Sequence, residues 1–589
     1  MLGATLAGDV CEFRVWAPAA RRVTLRLMTK MRGTEDLAML YTEDGQFALE
    51  AFARPGDRYF YLVDDNKPVP DPVSRLLPEG VHGPTEIVDP RAFVWSDQYW
   101  RGLWLKDYIL YELHIGTFTQ EGTFDAAIEK LPYLKKLGIT VIEIMPVAAF
   151  PGTRNWGYDG ASPYAVQASY GGPDGLKRLV DAAHRLGLGV VLDVVYNHLG
   201  NEGNYLWLFG PYFTDKHKTP WGDAINYDQP GNAGVRRYVV ENALYWIREY
   251  HLDGLRLDAV QTIRDDSPTH ILSEIADNVA ALARDLGRHV CVIAETDEND
   301  PRIVRPRSAG APDAPGFGAL GRVGYGLDAV WSDDFHHAIH AFFTGESTGY
   351  YQDFGRPEQI VRALNEGFVF QGEPFRFWDG RPRGTSSRDV PAPAHVICIQ
   401  NHDQVGNRAA GERLTVLVPR GVRMLAAALL LLAPQTPLIF MGQEYDEPNP
   451  FQFFSDYGDP VLRKMTFEGR RNEFKELAFS AVPDPHDPAT FQRSKLNWRL
   501  TEGENIMLHW YASLLELRSR YVTDSARTCK AELNGGVLCM QVPAEAPVLK
   551  VLARFAGSAE LPRPGASWRK ALAEETTEFA VSVWLKAMN

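Results

Sequence analysis

Three carboxylates and one guanidinium stand out in this chain because each interrupts an apolar run. Arg256 and Asp258 lie in "GLRLDAV" (254–260), Glu295 in "HVCVIAET" (289–296) and Asp403 in "HVICIQNHDQ" (395–404). A buried strand has no use for charge unless the charge is paired or does chemistry. One lone aspartate after a strand is more often a helix cap or a turn residue. Three carboxylates, each within polar residues at a strand end, form a pattern that capping does not explain. Opposed carboxylates suit cleavage of a glycosidic bond. One stays protonated to donate to the leaving oxygen, and the other is ionised to attack the sugar carbon. Side chains alternate along a strand, so Arg256 and Asp258 share a face, and the guanidinium would hold Asp258 ionised as a nucleophile requires. Glu295, with less positive charge nearby in sequence, is the better candidate for the acid, although spacing alone does not fix these roles. The sequence carries no phosphate-binding glycine loop, metal-ligand cluster or serine-type triad, so it implies no metal and no cofactor.

The elements that must position these groups are legible. From about residue 105, apolar runs alternate with helical patterns: "YILYELHIG" (108–116), "VIEIMPV" (141–147), "GVVLDVVYNH" (189–198), "GLRLDAV", "HVCVIAET", "DAVWSDD" (328–334), "HVICIQNHDQ" and "TPLIFMGQEY" (436–445). Ile271, Ile275, Val279, Leu282 and Leu286 follow helical spacing, with Ser267 as the expected N-cap, Pro268 at the first helical position and Gly287 as the stop. Leu176, Leu179, Val180, Ala183 and Leu186 repeat the design. Eight strands alternating with helices predict a closed (β/α)8 TIM barrel, whose active site sits where the strands' C-terminal ends emerge. At those ends lie Asp193, Asn197 and His198 (third strand), Arg256 and Asp258 (fourth), Glu295 (fifth), and Asn401, His402 and Asp403 (seventh). Loops must carry insertions near 199–230, 297–326 and 446–495.

Residues 1–95, with alternating runs such as "CEFRVWAP" and "RYFYLVDD", predict a small N-terminal β-sandwich. The barrel takes 96–521, and 522–589 a small C-terminal β-domain. The chain has 589 residues, more than one core usually supports. Its 61 basic and 75 acidic residues give a net charge of −14, which argues against nucleic-acid or anionic-membrane partners. Five scattered cysteines form neither a disulfide framework nor a metal set and point to the cytoplasm, with Cys291 and Cys398 read as core. The most apolar run, 424–442, is broken by Pro434 and Pro437 and reads as a buried helix, a turn and a buried strand. No signal peptide is expected from the first residues.

"DVVYNH" (193–198), "GLRLDAV", "IAET" (293–296) and "NHDQ" (401–404) occur in order and resemble the four signature regions of the α-amylase superfamily of glycoside hydrolases (family 13). The resemblance implies a retaining double displacement with Asp258 as nucleophile, Glu295 as acid/base and Asp403 as the carboxylate that stabilises the transition state. It implies that Arg256, His198 and His402 line the subsite of the attacked glucose. "NWGYDG" (155–160) is similar to the segment whose tyrosine, here Tyr158, stacks on that ring.

The N-terminal part resembles the carbohydrate-binding-type module of branching and debranching enzymes. "DAVWSDDFHHAIH" (328–340), "IQNHDQVGNRAAGERL" (399–414), "NPFQFFSDYGDP" (449–460) and "VPDPHDPATFQRSKLNW" (482–498) resemble the maltooligosyltrehalose trehalohydrolases across most of the chain. That likeness implies cleavage of the α-1,4 bond adjoining a terminal trehalose of maltooligosyl trehalose, an α-glucan oligosaccharide, with Asp333, Asp334, Phe335 and His336 shaping the trehalose subsites. One departure is Tyr445, where tryptophan is expected, and it bears on subsite geometry. The rival readings are a glycogen (1,4-α-glucan) branching enzyme, which passes the glucan to another chain, and a non-catalytic glucan-binding protein. The second is disfavoured because all three carboxylates are present.

Overall fold

The computed structural model describes residues 2–587, apart from 65, 308–323, 477–481, 523–527 and 556–559. Two four-stranded antiparallel sheets form the N-terminal part. One contains Val10–Trp16 and Gln46–Phe52, the other Val23–Thr29 and Arg58–Val63. Alternation decides the inner face: Phe13, Val15, Leu25, Leu27, Tyr59 and Tyr61 are buried, and the Phe13 and Tyr59 rings meet edge to face at 5.0 Å.

Eight parallel strands close the barrel: Leu110–Leu113, Val141–Ile144, Gly189–Val194, Gly254–Leu257, Cys291–Ala294, Ala329–Trp331, His395–Cys398 and Thr436–Phe440. Every residue of these strands is buried, which is why their sequences read as apolar runs rather than alternating ones. The 424–442 run becomes the helix Arg420–Leu432 and the eighth strand. Beyond the last long helix, Ile506–Tyr521, a five-stranded antiparallel sheet packs against Arg420–Leu432.

One helix start differs from expectation. The helix after the fourth strand spans Ile271–Leu286, with His270 rather than Ser267 capping it by accepting from the Leu272 N–H. Asp265 is the reason. Its carboxylate takes the Ile271 N–H at 2.6 Å and pairs with Arg236 at 2.7 Å, which holds 267–270 in a turn. Gly287 ends this helix in the left-handed conformation, as expected.

The insertions surround the barrel mouth. Residues 199–230 contain the hairpin Phe213–Thr219/Gly222–Ile225, and 446–495 contain the helices Pro460–Glu476 and Pro488–Arg493. Glu202 ties them together by accepting from the Gly458 and Asp459 N–H groups, and Asp456 pairs at 2.5 Å with Arg154 of the loop after the second strand. Residues 308–323, within the insertion expected at 297–326, lie outside the described residues.

Candidate active site

The site is built around one buried guanidinium. Parallel register sets Asp193 beside Arg256 on neighbouring strands. Arg256, 1% exposed, donates through Nη1 to both Asp193 oxygens at 2.9 Å and to Asp258 Oδ1 at 2.8 Å, and its Nη2 lies 3.6 Å from Glu295 Oε2. Its other support is the Trp331 ring, 4.3 Å below the guanidinium carbon. Asn197 Nδ2 donates to the second Asp258 oxygen at 2.7 Å, so both oxygens of that carboxylate are oriented.

The backbone then joins Asp258 to Glu295. The next residue, Ala259, has φ +40°, a conformation that non-glycine residues rarely adopt, and its N–H donates to Glu295 Oε2 at 2.5 Å. Burial drives the Glu295 carboxyl well above the usual carboxylate range. Asp258, Asp333 and Asp403 reinforce that shift, and together they outweigh the pull of Arg256. This setting favours the protonated form of Glu295.

Asp403 is half-buried on the short helix His402–Gly406, which is capped by Asn401. That helix can approach Trp156 because residue 406 is glycine, where a Cβ would stand 2.1 Å from the indole. Tyr158 donates to Asp193 Oδ2 at 2.6 Å, and its ring stacks near His402, with centroids 5.2 Å apart. His198 meets the Tyr158 carbonyl at 3.0 Å through Nε2 and stacks on Trp221 at 4.2 Å.

The "SDDFHH" segment divides. Asp333, half-buried, faces the carboxylates, and burial together with Asp403 pushes its carboxyl up to about 7. The other three turn away from the mouth. Asp334 is fully buried and saturated by Arg383 at 2.8 Å, Asn299 at 2.8 Å and the Val369 and Phe370 N–H groups. Phe335 is core, and His336 spends its two ring nitrogens on the Ile399 carbonyl and the Tyr351 hydroxyl. As packed, these three hold the segment and offer no free group to a sugar. Tyr445 likewise differs from expectation: it is 1% exposed in the turn Gln443–Tyr445 after the eighth strand, its ring 5.9 Å from that of Trp498, so its identity bears on packing rather than on a subsite.

Sequence reasoning missed Glu112, Glu143, Trp331, Arg383 and Trp221. Glu112 and Glu143 carried a signal, since each is the sole charge in a four-residue apolar strand, and the register pairs them side by side. Among the described residues, His217, Asp228 and Asp266 bring ligand-type atoms within 4.8 Å of one another. The Lys216 ammonium lies 2.8 Å from both aspartates and supplies their positive charge.

A parallel barrel with carboxylates on its C-terminal rim, set behind a β-sandwich, defines the α-amylase class of glycoside hydrolases. Residues 89–209 match the family model for the alpha amylase catalytic domain, and residues 1–90 that for carbohydrate-binding module 48, the isoamylase N-terminal domain. A malto-oligosyltrehalose trehalohydrolase of Saccharolobus solfataricus is 48% identical over 88% of this chain and 87% of its own. One of Deinococcus radiodurans is 45% identical over 88% and 82%. This chain belongs to the malto-oligosyltrehalose trehalohydrolase family. A 1,4-alpha-glucan branching enzyme of Thiobacillus denitrificans is a more distant relative, 33% identical over 43% of this chain and 37% of its own. Among solved structures, one from Salmonella typhimurium is 41% identical with a TM-score of 0.88, covering 99% of both chains. A pullulanase from Anoxybacillus sp. LM18-11, complexed with maltotetraose, shares the fold at 18% identity and a TM-score of 0.70, over 100% of this chain and 87% of its own.

Proposed function

We propose that this chain hydrolyses the α-1,4-glucosidic bond adjoining the terminal trehalose of maltooligosyl trehalose, releasing trehalose and a maltooligosaccharide in trehalose biosynthesis. The observation that carries the chemistry is the contrast between two neighbouring carboxylates. Asp258 is gripped by Arg256 and Asn197, while burial favours the protonated form of Glu295. In the first step an Asp258 oxygen attacks the anomeric carbon, and Glu295 gives its proton to the leaving oxygen. Water then replaces the leaving group, Glu295 takes its proton, and the glycosyl–Asp258 bond breaks with net retention. Asp403 binds sugar hydroxyls as the ring flattens toward the transition state. Tyr158, His198, His402 and Arg256 line the subsite of the attacked glucose, and Asp333 stands toward the leaving side. The substrate assignment rests on the family relationship.

The division of labour we assign is a glucan-facing sandwich (1–95), a catalytic barrel (96–521) and a C-terminal β-domain (522–589). Among the described residues, no helix is long and apolar enough to cross a membrane. With its free cysteines, the chain fits a cytoplasmic enzyme.

Incubation with maltooligosyl trehalose and, separately, with amylose tests the reading. Free trehalose from the first with little change in the second supports it. New α-1,6 branches from amylose would replace it with the branching reaction. Early-time NMR of the products showing inverted anomers would contradict a glycosyl–Asp258 intermediate.

A further inference from the structure

The mechanism above uses His402 but leaves unexplained a buried carboxylate behind it. Glu112, on the first barrel strand and 1% exposed, grips residue 402 twice. Its Oε1 lies 2.5 Å from His402 Nδ1, and its Oε2 accepts the His402 backbone N–H at 2.9 Å. On the far side of the imidazole, Nε2 lies 2.8 Å from the Tyr158 hydroxyl. That hydroxyl lies 2.6 Å from Asp193, whose oxygens are both bound by Arg256, and Arg256 in turn holds Asp258. An unbroken line of hydrogen bonds thus runs from Glu112 to the proposed nucleophile.

We propose that Glu112 is a positioning residue for the reaction: its charge keeps His402 an imidazolium, and its double grip fixes the start of the helix that carries Asp403. This inference rests on the functional reading above. The chemistry follows from counting protons. A tyrosine hydroxyl has one proton to give. If Nε2 of His402 carried no hydrogen, it would compete with Asp193 for the Tyr158 proton. An imidazolium removes the competition, because it donates from Nδ1 to Glu112 and from Nε2 to the Tyr158 oxygen. The Tyr158 proton is then committed to Asp193, which remains an ionised partner for Arg256. The consequence reaches Asp258, since Arg256 Nη1 is shared between the two aspartates.

The groups facing His402 agree with this assignment. Glu112 comes from the first strand and His114 from just beyond it, Tyr158 follows the second strand, Asp193 ends the third, Arg256 lies on the fourth, and Asp403 follows His402 in sequence. The Trp156 and Trp331 rings close the remaining sides, at 5.6 and 6.1 Å. Burial opposes a charge on His402, and Arg256 opposes it too, but the Glu112 and Asp403 carboxylates prevail and the imidazole is held above its ordinary value. Asp193, at about 6, is poised where a lost hydrogen bond from Tyr158 would let it take up a proton near neutral pH.

The test compares Glu112→Gln with the wild type on maltooligosyl trehalose, together with Tyr158→Phe and the double variant. Glu112→Gln keeps the shape but not the charge. We expect kcat to fall about tenfold to a hundredfold, the range that small misplacements of catalytic groups produce, with KM changed much less. The acid limb of the pH–rate profile should move to higher pH. Because both substitutions interrupt one line, the double variant should be no slower than the worse single one. Additive losses, or an unshifted profile with wild-type kcat, would overturn the proposal. If Glu112→Gln does not fold, NMR of 15N-histidine-labelled wild-type protein decides. A His402 signal that stays cationic above pH 7 supports the assignment, and ordinary titration near 6.5 refutes it. That readout involves no substrate, so it separates failure of this inference from failure of the substrate assignment.

Discussion

Asp258 and Glu295 approach the same guanidinium, and burial among other carboxylates pushes Glu295 toward its neutral form. Replacing Glu295 by Gln removes the proton donor, so turnover on maltooligosyl trehalose should fall by about 10²–10⁴-fold, the usual contribution of general acid–base catalysis. Asp258→Ala should leave no detectable turnover while circular dichroism and Tm remain near wild type. Near-wild-type rates in either variant would reverse the role assignment. Asp333 gives a second prediction. Its folded-state value of about 7 lies above the ordinary 3.8, so the folded protein binds this proton more tightly than the unfolded chain does. Stability from this group is complete below about pH 4 and is lost as pH rises through 7. Asp333→Asn, which never ionises, should therefore be more stable than wild type at pH 8 by about 1–2 kcal/mol, allowing for partial exposure, and equal to it at pH 4. Denaturant midpoints at the two pH values check this. A gain of the same size at both would show that the carboxylate is not the cause.

The segment after the sixth strand shows why residue types alone could not sort "SDDFHH" into contact and support. The helix Asp333–Thr344 begins at the first of these residues. Each further residue rotates about 100° around the helix axis, which turns Asp334 and Phe335 away from Asp333, while His336, nearly a turn on, is held by the Ile399 carbonyl and the Tyr351 hydroxyl. Asp334 turns inward onto Arg383, which comes from the short strand Arg381–Arg383 and also donates to the Asp297 carbonyl at 2.7 Å. Removing the cation alone strands a buried carboxylate. Arg383→Met should cost about 3–5 kcal/mol of stability, read from chemical denaturation, the usual result of breaking a buried pair. If Arg383 and Asp334 instead touched sugar, the loss would appear in KM at unchanged stability. The Ser267 expectation failed for a related reason. The carboxylate that took over the helix start, Asp265, draws its strength from Arg236, on another helix.

At the scale of the molecule, the N-terminal sandwich is not a loose appendage. Arg75 donates to Glu249 of the helix Asn232–Tyr250 through Nε and Nη2 at about 3.0 Å. Trp16 inserts its indole where a side chain at Gly234, on the same helix, would stand, 2.1 Å from an added Cβ, and meets the Tyr212 ring at 5.3 Å. Gly234→Ala should push the indole out of this seat and lower stability by about 1–3 kcal/mol, with thermal unfolding as the measure. A variant as stable as wild type would mean that the sandwich can shift without loss. The three-part order along the chain was legible because strands of alternating pattern, strands buried on both faces and amphipathic helices each leave a distinct period in the sequence. The docking of sandwich on barrel was not, because a glycine in a helix and a tryptophan in a strand carry no mark of meeting.

The sequence by itself determined the eight barrel strands, the strand ends that carry the buried charges and the shared face of Arg256 and Asp258, because these depend on local periodicity and on charge placed where apolar residues belong. Only the tertiary structure decided which groups each charge meets. Parallel pairing set Glu112 beside Glu143 and carried Glu112 to His402, 290 positions away. It also brought Arg256 within 3.6 Å of Glu295, whose sequence neighbourhood had promised little positive charge. The Glu295 carboxyl is raised despite that cation, because desolvation belongs to the packed barrel and not to any stretch of chain.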